Sequence, residues 1–90
     1  MAKATVTRPP AFVERLKAAL RHELPEAEIS TEQIRGDRYR FVVVSDQFSG
    51  IGHPERQRRV WAVAEAVVPR PDLLDVGMIL TIAPEELPRE

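Results

Sequence analysis

The chain contains no cysteine and only two histidines among its 90 residues. Without cysteine it cannot form disulfides, hold zinc or an iron–sulfur cluster through thiolates, or use a cysteine nucleophile. His22 and His53 are too few and too far apart in the sequence for a metal site of their own. We therefore expect no metal held by this chain alone.

The sequence also lacks a charge excess and a long apolar run. Its net charge of −1 predicts no general attraction to nucleic acid or anionic lipid. No apolar run approaches the roughly 20 residues of a membrane span, and the N-terminus lacks the apolar core of a secretory signal. With 43% hydrophobic and 30% charged residues, the composition is typical of a small soluble globular protein. We expect a cytoplasmic protein with no membrane association.

The spacing of apolar residues predicts the first half of the fold. Residues 1–10 are expected to form a flexible arm, and residues 11–90 a single domain. Phe12, Leu16 and Leu20 recur at helical spacing, and Pro25 ends that helix. From residue 27 apolar and polar residues alternate with a period of two, which predicts a half-buried strand. After the break at 35–37, the β-branched and aromatic run at 39–45 predicts a second strand and a hairpin, with Val42 and Val44 in the core.

The second half predicts a helix, a short turn or helix and a last strand. Val60, Ala64 and Val67 form the apolar stripe of the helix, which begins near Pro54. Residues 72–74 indicate the turn, residues 76–82 an interior strand that is apolar on both faces, and residues 84–87 a final helical turn. The order α-β-β-α-(α)-β predicts an α+β two-layer sandwich, in which helices cover a three-stranded mixed sheet.

Two segments carry a resemblance to a known family. The run FVVVSDQFSG at 41–50, then five residues, then RQRRV at 56–60, resembles the central motif of the BolA family: an apolar strand ending in valine-serine, F-x-G, and R-H-R before x-V. The tail IAPEEL at 82–87 is similar to the family's ending. The resemblance implies an α-β-β-α-α-β fold similar to a type II KH domain.

The resemblance implies two kinds of function. Some family members pair with monothiol glutaredoxins and share a [2Fe–2S] cluster in iron–sulfur assembly and iron sensing, and others are regulators that bind nucleic acid. The family's ligands are a histidine at the start of the third strand, here Asp75, and a histidine or cysteine in the loop between the first two strands, here around Arg35. The central histidine of R-H-R is Gln57. A carboxylate suits an iron–sulfur cluster poorly and arginine does not ligate it, so we expect no cofactor on this chain.

We consider two functional hypotheses. The first is a non-enzymatic BolA-like regulator or adaptor, acting in iron–sulfur or stress regulation, that contacts a protein such as a monothiol glutaredoxin. The residues predicted for that contact are Gly50, Arg56, Arg59 and Asp75. The alternative is a KH-like regulator that holds single-stranded DNA or RNA through basic side chains. The residues predicted for that role are Arg38, Arg40, Arg56, Arg58 and Arg59.

The remaining motifs favour structural roles. The spacing of Gly50 and Gly52 does not fit the G-x-x-G loop of KH domains, so we expect Gly50 to serve a tight strand-to-helix connection rather than to bind an anion. Ser45, Asp46 and His53 have the side chains of a nucleophile set, but no nucleophile elbow surrounds them, and we expect no enzyme. Edge arginines discourage strand pairing, which favours a monomer or a weak dimer.

Overall fold

The computed structural model describes residues 10–88. The arm predicted over residues 1–10 lies outside the described residues except for Pro10, which directly precedes the first helix. The main elements in chain order are helix α1 (Ala11–Glu23), strands β1 (Glu28–Gln33) and β2 (Tyr39–Val44), helices α2 (His53–Val67) and α3 (Arg70–Leu73), and strand β3 (Val76–Ile82). Short 3-10 turns cover Asp46–Phe48 and Pro84–Glu86.

The three strands form one mixed sheet in the order β1-β2-β3. β1 and β2 pair antiparallel, as a hairpin requires, and β2 and β3 pair parallel, because α2 and α3 carry the chain back along the sheet. The described helices pack on one face of this sheet. The predicted α+β two-layer architecture is confirmed. No helix within residues 10–88 has both the length and the apolarity to cross a bilayer.

The core lies between the helices and the inner face of the sheet. Helix α1 buries the predicted stripe and also Val13, since its inner face is wide enough for both. The sheet contributes Phe41, Val43 and Ile79, which pack against α1 and α2. Helix α2 buries Val60 and Ala64 in the same core. The ring of Phe12 packs edge-on against Tyr39 with 6.0 Å between centroids, which places the start of α1 over the start of β2.

Two predictions about the sheet are wrong. β3 is an edge strand and not an interior one, because β2 lies between β1 and β3. Val42 and Val44 are half-buried on the outer face of β2, whereas Tyr39, Phe41 and Val43 face the helices. In both strands the two faces are apolar, so alternation alone does not select the inner one.

A bulge at Gly77 changes which residues of β3 face inward. Tyr39 pairs with Val76 and Arg40 pairs with Met78, so Gly77 is the extra residue. This insertion lets Val76 and Ile79 both point into the core although they are an odd number of residues apart. A Cβ built on Gly77 would lie 3.0 Å from Ile34 Cδ1, so the glycine also allows the hairpin turn to approach the strand.

Candidate functional site

Arg56 is the central residue of the end of the sheet where α2 begins. Its side chain is only 4% exposed. Nε donates to the carbonyl of Ile51 at 2.7 Å, and Nη1 donates to the carbonyl of Thr81 at 3.1 Å. The guanidinium lies 5.7 Å from the centre of the Phe48 ring. Arg56 therefore joins the loop before α2 to the end of β3.

Glu86 completes this network from the C-terminal turn. Arg56 Nη1 and Nη2 donate to its two carboxylate oxygens, each at 2.8 Å, and the backbone N–H of Ala83 donates to Oε1 at 2.9 Å. These bonds, from Arg56 first and then Ala83, lower the pKa of Glu86 from 4.5 to about 2. The same pairing raises the pKa of Arg56. The described geometry thus fixes the tail against α2.

Arg56 belongs to both predicted binding sets, and this placement gives it a structural role within its own chain. The guanidinium is buried, and four of its five N–H donors serve two carbonyls and a carboxylate of its own chain, so Arg56 presents little surface to a partner or a phosphate. Gly50 itself has φ +77°, so the expectation that it serves a tight connection agrees with the backbone geometry.

The four residues predicted to contact a protein partner do not come together. Gly50 follows the end of β2, whereas Asp75 precedes β3 and lies beside the start of β2, where Tyr39 N–H donates to its carbonyl at 2.8 Å. Because β2 is six residues long, these two positions are separated by about 20 Å along the sheet. Arg59 lies on α2, where its side chain donates to Gln47 at 3.4 Å.

The two positions of the family's cluster ligands do lie at one end of the sheet, which we call the hairpin end: residues 34–38 and 74–77. The turn is closed by Ile34 N–H donating to Arg38 O at 2.9 Å, and Ile34 reaches Gly77. The side chains at the ligand positions are Arg35 and Asp75. Ile34 is 42% exposed and Leu74 is 78% exposed, so two large apolar side chains flank these positions.

The predicted arginine cluster is divided between two sides of the domain. Arg40 alternates with the buried Phe41 and so lies on the outer face of the sheet, where it pairs with Glu32. Arg58 and Arg59 lie in the helical layer, and Arg58 pairs with Glu55. Within residues 10–88 these arginines therefore form no continuous basic surface of the kind that a nucleic-acid backbone would follow.

Gln57 closes the free edge of β3. Its Nε2 donates to the carbonyl of Ile79 at 2.8 Å and to Thr81 Oγ1 at 3.3 Å, while Trp61 Nε1 donates to Gln57 Oε1 at 3.1 Å. Arg56 and Gln57 thus satisfy successive outward carbonyls of the strand. The sequence did not predict these roles of Gln57 and Glu86. Gln57 and Ile79 are 22 residues apart, and Arg56 and Glu86 are 30 residues apart, so no local pattern links them.

Ser45, Asp46 and His53 have the residue types of a nucleophile set, but we expect no such set from the sequence, and Ser45 has a structural role. Ser45 Oγ donates to Glu26 at 2.6 Å and accepts from the N–H of Gln47 at 3.0 Å, so it caps the turn at Asp46–Phe48. His53 begins α2, and both side-chain hydrogen bonds of Ser45 go to other residues, Glu26 and Gln47. Across residues 10–88, three or more histidine or carboxylate side chains nowhere converge to hold a metal ion.

Comparison with models of protein families and with curated protein sequences gives no match. Solved structures do match. BolA1 from Arabidopsis thaliana has a TM-score of 0.63 at 21% identity, covering 86% of this chain and 96% of that one. The BolA domain of SufE1 from Arabidopsis thaliana has a TM-score of 0.59 at 23% identity, covering 93% of this chain and 100% of that one. A Bol-like protein from Babesia bovis has a TM-score of 0.53 at 19% identity, covering 93% of both chains. The chain has a BolA-like fold, as the resemblance implied.

Proposed function

We propose that this chain is a non-enzymatic BolA-like adaptor that binds a protein partner, such as a monothiol glutaredoxin, through the hairpin end without ligating a cluster. The observation that carries the proposal is the pairing of a BolA-like fold with Arg35 and Asp75 at the two ligand positions. The scaffold that would present ligands is kept, and the ligands are replaced.

The surface of the hairpin end supports a contact with a protein. Leu74 and Ile34 are exposed beside Asp75 and Arg35, so an apolar centre is flanked by charges of both signs. Such a surface resembles the apolar core and polar rim of a protein interface. By contrast, the separated arginines give the nucleic-acid alternative no specific support, and that alternative stays a prediction.

A titration of the ¹⁵N-labelled chain with a monothiol glutaredoxin tests the proposal. We expect amide shifts confined to residues 34–38 and 74–77. Leu74→Ala should weaken binding about tenfold, because truncating an anchor side chain at an interface costs more than about 1 kcal/mol. Leu87→Ala is the matched control, since Leu87 is 40% exposed but follows the C-terminal turn at the opposite end of the sheet.

The absence of cluster ligation needs a separate measurement. With glutaredoxin, glutathione, iron and sulfide, we expect the wild-type chain to give no visible circular dichroism of a mixed cluster. The double variant Asp75→His with Arg35→His restores an imidazole at both of the family's ligand positions and should produce such bands. A mixed cluster with the wild-type chain would contradict the proposal, and so would a lack of any amide shift on adding glutaredoxin.

A further inference from the structure

The outer face of the sheet, which the described helices leave uncovered, has an ordered pattern of side chains. Strand pairing fixes three rows across β1, β2 and β3. They are Glu32–Arg40–Met78, Ser30–Val42–Leu80 and Glu28–Val44–Ile82. The β2 and β3 columns are aliphatic apart from Arg40, whereas the β1 column is polar and acidic. Met78 and Leu80 are 41% and 38% exposed, which is high for large apolar side chains packed in a sheet.

Negative charge borders the apolar columns on one side. Glu32 is paired with Arg40, but Glu28 makes no ion pair within residues 10–88. Beside it lies a cavity of about 260 Å³, which also belongs to this face because Val44 contributes to its wall. The cavity is lined by Glu26, Glu28, Val44, Asp46, Pro84 and Leu87. Within residues 10–88, three carboxylates and no basic side chain line this cavity beside the apolar columns.

We infer that this outer face is a docking surface for an amphipathic helix of a protein partner, with an apolar stripe over β2 and β3 and a basic flank over Glu28 and the acidic cavity. A helix is about 10 Å wide and covers two strands spaced about 4.8 Å apart. Fourteen helical residues extend about 21 Å, and the six residues of β2 extend about 20 Å.

Charge complementarity favours this occupant over a second copy of the chain. Two copies related by a two-fold axis along the strands would place the acidic β1 column on the aliphatic β3 column. An axis across the strands would place aliphatic on aliphatic, but also Glu28 and Glu32 of one copy against the same residues of the other. A helix flanked by lysine or arginine would place its apolar side chains on the β2 and β3 columns and its basic side chains on the acidic β1 column.

Two designed 14-residue peptides test the inference. One carries leucine at helical spacing with lysine elsewhere, and the other carries glutamate in place of lysine. With the ¹⁵N-labelled full chain, we expect the lysine peptide to shift amides of β2, β3 and Glu28, with an affinity that falls as salt rises. The glutamate peptide should bind about tenfold more weakly, since one surface ion pair replaced by repulsion changes binding by about 1–1.5 kcal/mol.

Variants assign the effect to the face. Glu28→Lys should narrow the difference between the two peptides, because two carboxylates remain at the cavity, and Leu80→Gln should weaken both. Glu65→Lys makes the same charge change at an exposed position of α2 and should alter neither. Equal binding of both peptides, shifts confined to the helical layer, or concentration-dependent shifts of the outer face without peptide would overturn the inference, the last by showing a second copy there. Because this test uses a designed peptide and no glutaredoxin, its failure leaves the glutaredoxin experiment unaffected.

Discussion

Replacing Gln57 by leucine tests the closure of the β3 edge. The side-chain amide of Gln57 holds the carbonyl of Ile79 and the hydroxyl of Thr81, and it accepts the indole N–H of Trp61. Leucine has a similar size and a helix propensity at least as high, so the variant removes these bonds with little other change. The carbonyl of Ile79 would then lose its side-chain donor at a partly buried site.

The expected loss of stability follows from these contacts. Two of the bonds are well formed, at 2.8 and 3.1 Å, and the third is long at 3.3 Å. At about 0.5–1.5 kcal/mol for each well-formed bond, the gross loss is about 2 kcal/mol. Trp61 is half-buried and its N–H can turn to water, which reduces the net loss to about 1.5 kcal/mol. For a domain of this size, that corresponds to a Tm about 6–12 °C lower.

Urea denaturation and the indole N–H signal of Trp61 provide two readouts. Trp61 is the only tryptophan, so its single indole cross-peak reports the bond to Gln57 directly. Gln47→Leu is the control: its side chain is exposed and accepts only from Arg59 at 3.4 Å, so its effect should stay within about 0.5 kcal/mol. If Gln57→Leu cost less than about 0.5 kcal/mol and left the indole peak in place, the reasoning about the edge would be refuted.

Two further predictions concern the end of the sheet at which α2 begins. Because the pKa of Glu86 lies at about 2 in the folded chain and at 4.5 ordinarily, its ionised form stabilises the fold above about pH 4.5, and this contribution is lost as the pH falls toward 2. The stability advantage of the wild type over Glu86→Gln in urea should therefore shrink across that window, and a constant difference would show that the Arg56 pair does not form. Gly50→Ala should lower the free energy of unfolding by about 1 kcal/mol, because its φ of +77° is unfavourable for alanine. The cost should not exceed this strain by much, since no atom lies within 4 Å of the added methyl group. Gly50→Asn should cost less, since asparagine tolerates this conformation, and equal stability of all three chains would rule out a left-handed residue here.

Local sequence patterns determined most of the secondary structure. The spacing of Phe12, Leu16 and Leu20 predicted α1 because a period near 3.6 depends only on neighbouring residues. The change to a period of two predicted β1, and the prolines and glycines marked the breaks. The α+β order followed from the succession of these elements. The motif at 41–60 pointed to the BolA-like fold that the structural neighbours share.

Tertiary structure alone decided the use of each face and the partners of the polar residues. Both faces of β2 are apolar, so only packing against the helices selects Phe41 and Val43 for the core and leaves Val42 and Val44 outside. The bulge at Gly77 shifts the alternation of β3 without a signal in hydrophobicity. Arg56 occurs in a motif rich in basic residues that suggests a surface, yet a carboxylate 30 residues away makes its burial favourable. Such long-range pairings are invisible to a local pattern because the chain must fold before the two groups can meet.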